Sequence, residues 1–445
     1  MASHKKILAL VAAGGIALAG LAGCSSDDKS KDGADGKGSV YFLNWKPEQE
    51  AAYQEIAKVY TQETGVKVTV ATAASGTYEQ TLKTEISKSA PPTLFQINGP
   101  VGLSVWKDYA ADITDADFAK NLTEDNLALK GEDGKVYGVP LAIEGYGIIY
   151  NEEIMDKYFA MNGAKVDSIS KINNFDKLKE VAEDMQAKKD ELGIQGVFAS
   201  TSLAPGEEWR WQTHLSNIPM YYEYKADGVT DKKVVSFTYN KNFKNIFDLY
   251  LNNSTVERTL TPSKIVSDSM AEFATGKAAM VQNGNWAWSQ IAEVAGNVVK
   301  ADKIKFLPIY TGTPDDAKQG LAIGTEAFMA INAKAPQADQ KATIDFINWL
   351  FSSEKGKQFV VKNLGFMAPF KTFGKDEFPS DPLAKEIQRY LTDDAVTNVP
   401  WVFTTYPSQK FKDEFAQALT QYASGTVEWD AVVKTFVDAW AAEKK

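Results

Sequence analysis

The chain has one cysteine, Cys24, and two histidines, His4 and His214, in 445 residues. A single cysteine excludes an internal disulfide and a cysteine-based zinc site. Neither H-E-x-x-H nor C-x-x-C occurs. The phosphate-cradling G-x-x-x-x-G-K-[ST] loop is also missing, since Thr275-Gly276-Lys277-Ala278 lacks both the first glycine and the hydroxyl. There is no G-x-S-x-G elbow, so a histidine-based triad would depend on His214 alone, which reads instead as a structural histidine. Glu207-Glu208 is a carboxylate pair, but adjacent residues seldom flank a scissile bond, which glycosidases straddle with carboxylates ~5–9.5 Å apart. Catalytic residues, metal and cofactor are therefore expected to be absent. Arginine is scarce too: only Arg210, Arg258 and Arg389 stand beside 45 lysines.

Long apolar runs are limited to one. Ile7–Ala19 follows Lys5 and Lys6 and is shorter than the ~18 residues a membrane-spanning helix needs. Leu21-Ala22-Gly23-Cys24 comes next and resembles a bacterial lipobox, in which the cysteine is acylated and becomes the mature N-terminus. The alternative is a signal peptide whose cysteine is incidental. Residues 1–23 read as the signal peptide and 24–39 as a flexible tether, because Ser25–Ser39 has no apolar residue except Ala34. Loss of residues 1–23 removes two lysines and no acid, which takes the net charge from −10 to −12. Nucleic acid is a poor partner for so acidic a body.

From residue 40 the pattern is α/β. Val40–Leu43 is a short apolar strand, Pro47 opens a helix with Tyr53, Ile56, Ala57 and Tyr60 on one face, and Val66–Val70 alternates as the next strand. Strand, helix and strand in about 30 residues make a βαβ unit and a parallel sheet. A helix at Tyr78–Ser89 and a strand at Thr93–Ile97 follow. Asn44, Trp45 and Asn98 then fall beyond the carboxyl ends of strands, where open α/β sheets collect ligands. About 400 residues favour two domains.

One later stretch organises the site. In Glu272–Ser289 (EFATGKAAMVQNGNWAWS) a helix stops at Gly276, Ala278–Val281 has strand length, and Asn283-Gly284-Asn285 turns to deliver Trp286. Trp286 is a candidate stacking platform for a sugar, with Trp288 pointing the other way into the core. Sugars present apolar C–H faces and many hydroxyls, so a site for them needs aromatic rings beside planar polar groups. Trp209, Trp211, Arg210 and Glu208 share the aromatic segment 201–224, and Trp401 follows Asn398-Val399-Pro400. The planar fork of a rare arginine among aromatics suits hydroxyl or carboxylate pairing; a salt bridge to Glu207 or Glu208 is the other reading. Trp106, Trp349, Trp429 and Trp440 lie on helical faces and read as core.

With the lipobox, the βαβ opening, VPLAIEGYGIIYN and FATGKAAMVQNGNWAWS in view, the chain resembles the extracellular solute-binding proteins of sugar ABC transporters, the maltose-binding protein being the familiar relative. The resemblance runs from about Val40 to the C-terminus. It implies a type II periplasmic-binding-protein-like fold of two α/β lobes joined by three crossings, near Ile143-Glu144, Leu307-Pro308 and Gly365-Phe366. Lobe 1 would be 40–143 and 309–365, and lobe 2 144–308 and 366–445. The resemblance places Asn44, Trp45 and Lys46 in the first sugar-contacting loop, Asn98 after a strand, Glu144 on the first crossing, and Glu208-Trp209-Arg210 at an acid-plus-aromatic position. Trp286 is the stacking tryptophan, preceded by Asn285. The function implied is capture of an oligosaccharide by a monomeric lipoprotein anchored through Cys24 outside the cell membrane, for delivery to the permease subunits of an ABC importer. Another polar solute (sugar phosphate, glycerophosphodiester or peptide) and a surface glycosidase using Glu144 and Glu208 are the alternatives.

Overall fold

A computed structural model describes residues 36–74, 76–374 and 376–444. The expected signal peptide, Cys24 and most of the expected tether lie outside the described residues. The body begins earlier than the expected tether end: Ser39 opens the first strand, and its N–H donates to Asp339 Oδ1 at 2.6 Å.

Twelve strands occur among the described residues. They are β1 (Ser39–Asn44), β2 (Lys67–Thr72), β3 (Leu94–Ile97), β4 (Leu129–Lys130), β5 (Val136–Gly138) and β6 (Glu144–Asn151). The second half adds β7 (Gly196–Phe198), β8 (Ala278–Gly284), β9 (Ile304–Leu307), β10 (Gln319–Gly324), β11 (Phe328–Ile331) and β12 (Thr397–Pro400). The opening βαβ unit is present. The helix Glu50–Thr64 buries Tyr53, Ile56, Ala57 and Tyr60, and stops at Gly65, whose φ of 75° suits only a residue without a Cβ. β1 pairs in parallel with β2 and β3, and β11 closes this four-stranded sheet antiparallel to β3. Val40, Phe42, Tyr53, Tyr60, Phe346 and Phe351 form the core of this half.

The second sheet has six strands in the order β12-β10-β6-β8-β7, with β9 also on β6. β6 is buried along its whole length and pairs antiparallel with β8, β9 and β10. It reads as a continuous apolar run because both its faces are covered. Two cores flank this sheet. One contains Phe237, Phe243, Phe415, Phe436 and Trp440; the other is built on Phe273, Ile291, Phe306 and Ile387. Trp429 is also buried, and Trp288 packs against the second of these cores.

The chain changes sheet three times. Val139 still bridges Met329 of the first sheet, and Glu144 begins β6 in the second. The return does not come at Leu307-Pro308, because β10 stays with β6 through Ala322, Ile323 and Gly324. It comes between Gly324 and Phe328, where Ala327 takes a left-handed φ of 54°. The last change also comes later than Gly365-Phe366: Phe370 and Phe373 still pack with the first core, and Lys371 N–H donates to Asn121 O. Phe378 and Leu383 pack with the second. Pro308 breaks an extended segment but does not redirect it, because Gln319 Nε2 reaches back to the Ile309 carbonyl at 2.8 Å.

Candidate functional site

A cleft of ≈ 1040 Å³ is lined by residues of both sheet halves. From the first half come Trp45, Lys46 and Glu48 after β1, Tyr78 and Glu79 at the start of the helix Tyr78–Glu85, and Asn98 after β3. Trp45 stacks on Tyr78 with ring centroids 4.9 Å apart and planes 10° from parallel. Tyr78 is fixed from below: its hydroxyl donates to the Leu43 carbonyl and accepts from the Gln96 N–H at 2.7 Å. Asn98 presents an Oδ1 with no protein partner.

The second half supplies an aromatic cluster. Trp209, and Arg210, Gln212, Thr213 and His214 of the π-helix Arg210–Leu215 that follows it, line the cleft. Pro219 lies inside the following helix, and His214 O accepts from Tyr146 Oη at 2.9 Å. The His214 ring stacks on Tyr146 at 4.3 Å and lies 4.9 Å from Trp209 and 5.4 Å from Trp286. Burial holds its pKa well below the usual histidine value, so the ring is neutral at pH 7.

Trp286 stands at the end of β8, which runs on to Gly284, beyond the Val281 expected from sequence. The turn is therefore at Asn285, and Trp286 precedes the short helix Ala287–Ala292. The indole lies over Gly284, where any Cβ would collide with it. Its Nε1 has no protein partner.

Charges are interleaved with the rings. Lys46 Nζ meets Glu144 Oε1 at 2.9 Å and Oε2 at 3.0 Å, and sits 5.6 Å from the Trp286 ring centroid. Burial opposes the charge on Lys46, but Glu144, Glu48 and Glu326 outweigh it and raise its pKa. The Arg210 guanidinium stacks 3.8 Å from the Trp209 centroid, its Nε donates to Asn283 Oδ1 at 3.2 Å, and its Nη1 has no protein partner. Burial lowers its pKa to about 9, which leaves it cationic at pH 7. Burial raises Glu208, whose Oε2 accepts from the Gly206 N–H at 2.7 Å. Burial also raises Glu326, on the Gly324–Phe328 passage, to about 7.

The helix Gln409–Ala423 forms a long wall. Gln409, Lys412, Asp413, Ala416, Gln417, Thr420 and Gln421 face the cleft at a spacing of three to four residues, which spans about 18 Å.

Of the residues expected at the site, Trp45, Lys46, Asn98, Glu208, Trp209, Arg210 and Trp286 line this cleft. Five others do not. Trp211 turns into the core against Phe247 and Tyr250, its Nε1 donating to Ser202 O at 3.0 Å. Trp401 packs behind the cleft against Tyr146 and Phe403, and crosses Gly324 so closely that a Cβ there would clash. Asn44 is fully buried and braces its loop through Lys46 O, the Lys46 N–H and Thr72. Glu144 is buried as the counter-ion of Lys46. Asn285 Oδ1 is used by the Gly145 N–H at 2.9 Å, tying the end of β8 to β6. Conversely, Tyr78, Glu79, His214, Glu326, Lys412 and Asp413 line the cleft and were not expected to. The one sequence signal that could have found the last two is the polar stripe at three-to-four-residue spacing between Gln409 and Gln421.

Among the described residues no cluster of three or more His, Cys, Asp or Glu could hold a metal ion, and no helix is long and apolar enough to cross a membrane. The model for bacterial extracellular solute-binding proteins matches residues 55–386. The chain belongs to that family. The melibiose/raffinose/stachyose-binding protein MelE of Bacillus subtilis (strain 168) is 26% identical over 140 residues, 31% of this chain and 32% of that protein. The diacetylchitobiose binding protein DasA of Streptomyces coelicolor (strain ATCC BAA-471 / A3(2) / M145) is 25% identical over 218 residues, 46% of this chain and 49% of that protein. The matches thus span less than half of either relative. Solved structures share the two-lobe fold over nearly the whole length. A chitin oligosaccharide binding protein superimposes with a TM-score of 0.71 at 18% identity, covering 91% of this chain and 98% of that one. The solute-binding protein RafE in complex with raffinose gives 0.69 at 17% identity, covering 92% and 100%.

Proposed function

We propose that the protein captures an oligosaccharide between its two lobes and delivers it to an ABC importer. The observation that carries this reading is the pairing of aromatic faces with unpartnered polar atoms in one cleft. Trp45 on Tyr78, and Trp209 with Trp286, offer flat apolar surfaces to sugar C–H faces. Arg210 Nη1, Trp286 Nε1 and Asn98 Oδ1, on residues of the cleft lining, are two donors and an acceptor buried without a protein partner, which ligand hydroxyls would satisfy. The wall of about 18 Å along Gln409–Gln421 has room for several rings. Relatives named for melibiose, raffinose, stachyose and diacetylchitobiose agree with this class of ligand.

Capture works by closure. One lobe holds residues 39–139 and 328–373, and the other 144–324 and 378–444; the three connecting passages act as hinges. Sugar bound to one lobe gains contacts with the other only when the lobes meet, so the ligand stabilises the closed form. The permease subunits recognise that form. The chain acts as a monomer, and acylation of Cys24 keeps it at the outer face of the cell membrane.

A thermal-shift panel of neutral oligosaccharides tests the reading. A ligand at ~100 times its dissociation constant adds ~2.7 kcal/mol of stability. A clear rise in unfolding temperature with an oligosaccharide, and recovery of that sugar unchanged after long incubation, supports capture without catalysis. A shift only with phosphorylated compounds or peptides refutes the sugar assignment.

A further inference from the structure

Lys412 is a buried ammonium group in the cleft wall. Among the described residues its Nζ has neither a hydrogen-bond acceptor nor a carboxylate at ion-pair distance. Burial lowers its pKa, and three carboxylates act on it only through space: Glu326 on the Gly324–Phe328 passage, Glu79 from the first half, and Asp413 on its own helix. Two of these are already engaged. Glu79 accepts from Trp106 Nε1 at 3.2 Å, and Asp413 from Gln409 Nε2 at 2.8 Å. Glu326 is not: its carboxyl has no hydrogen-bond partner among the described residues, and it too lines the cleft. Across the cleft Glu326 also faces Lys46, Glu48 and Glu144. The neutral ring of His214 lies within electrostatic reach of Lys412.

The Lys412 side chain is largely buried, and its Nζ, with no acceptor among the described residues, has only the cleft to turn to. We propose that Lys412 and Glu326 form a hydroxyl-recognition pair: one ligand hydroxyl accepts a hydrogen bond from Lys412 Nζ and donates a hydrogen bond to the Glu326 carboxylate. This rests on the reading of the cleft as a sugar site, and deepens it by selecting a neutral ligand group there. A carboxylate or phosphate would satisfy Lys412 alone and meet the field of Glu326, Glu79 and Asp413. A hydroxyl satisfies both partners at once. Hydrogen bonding to the ionised form favours that form. Sugar binding therefore draws the proton from Glu326, and affinity rises with pH between about 6 and 8.

The test uses raffinose, stachyose and diacetylchitobiose, together with an oligosaccharide bearing a uronic acid, on the full chain and on Lys412→Met and Glu326→Gln. The pair requires that the tightest neutral sugar lose about tenfold to a hundredfold in affinity with Lys412→Met, on the scale of a hydrogen bond to a charged group. Glu326→Gln should flatten the pH dependence. Free Lys412→Met should unfold at or above the wild-type temperature, because a merely structural lysine would destabilise on removal. If the wild type binds a neutral sugar and both variants bind it equally well, the pair is overturned while the sugar site stands. Tighter binding of the uronate overturns the hydroxyl assignment. If no sugar binds the wild type, the sugar reading falls and the pair with it.

Discussion

Lys46 Nζ reaches both carboxylate oxygens of Glu144, at 2.9 and 3.0 Å, and the pair joins the loop after β1 to the first residue of β6. Both side chains are buried, so neither charge can be left alone cheaply. Removing one partner of a buried pair typically costs ~3–5 kcal/mol, whereas replacing both by apolar groups of similar volume is often neutral. Lys46→Met or Glu144→Gln alone should lower the urea midpoint strongly, and Lys46→Met combined with Glu144→Leu should regain most of the loss. A double variant as unstable as the sum of the singles would show that the charge pair itself is needed.

Trp286 and Trp211 separate binding from stability. Trp286→Ala removes a cleft ring, and should cost ~1–3 kcal/mol of affinity measured by calorimetry. Trp211→Ala empties a core site beside Phe247 and Tyr250, and should cost ~3–5 kcal/mol of stability. The affinity of the folded Trp211 variant should change little. The reverse pattern would exchange their roles.

The pH dependence of the free protein has a defined sign at Glu326. Its folded pKa of about 7 lies above the ordinary value of 4.5, so the folded state holds the proton more tightly. The associated stability is complete below about pH 4.5 and is lost as the pH rises through 7. Asp381, raised by burial to about 6, adds a loss of the same sign at slightly lower pH. Unfolding temperatures between pH 5 and 8 should therefore fall less steeply in Glu326→Gln than in the wild type. Parallel curves would remove Glu326 from this role.

Two glycines meet across the cleft. A Cβ on Gly76, in the loop after β2, would lie 2.8 Å from the carbonyl oxygen of Gly206 on the opposite half, and both residues have positive φ. Gly76→Ala should hold the lobes apart and weaken ligand binding several-fold. Small-angle scattering of the liganded variant should show a larger radius of gyration than the liganded wild type. Equal radii and equal affinity would exclude this contact from closure.

Cys24→Ser checks the anchor. The variant should appear in the soluble extracellular or periplasmic fraction and take up no labelled fatty acid. Retention in the membrane fraction would refute acylation at Cys24.

Much of the first half was legible in the sequence because its signals are local. The face of Tyr53, Ile56, Ala57 and Tyr60, the stop at Gly65 and the alternation of β2 each follow from nearest neighbours. Trp45 and Trp286 could be placed for the same reason, since strand ends and turns announce them. Trp209 and Trp211 could not be told apart, because the π-helix that begins at Arg210 does not turn side chains at the usual 100° per residue. Lys412 was passed over because a polar stripe on an amphipathic helix ordinarily faces water. The second passage was misplaced because it rested on the resemblance alone, with no local signal of its own. The actual one, at Gly324–Phe328, depends on Ala327 taking a backbone conformation that alanine rarely adopts.

The late arrival of β11 has a kinetic consequence. This strand completes the first sheet beside β3, and Asn332 Nδ2 donates to the Pro92 carbonyl across 240 positions of chain. The first lobe cannot finish folding as it emerges from the ribosome; it waits for the whole of β6 through β10 to be made. Folding governed by such distant contacts is slow.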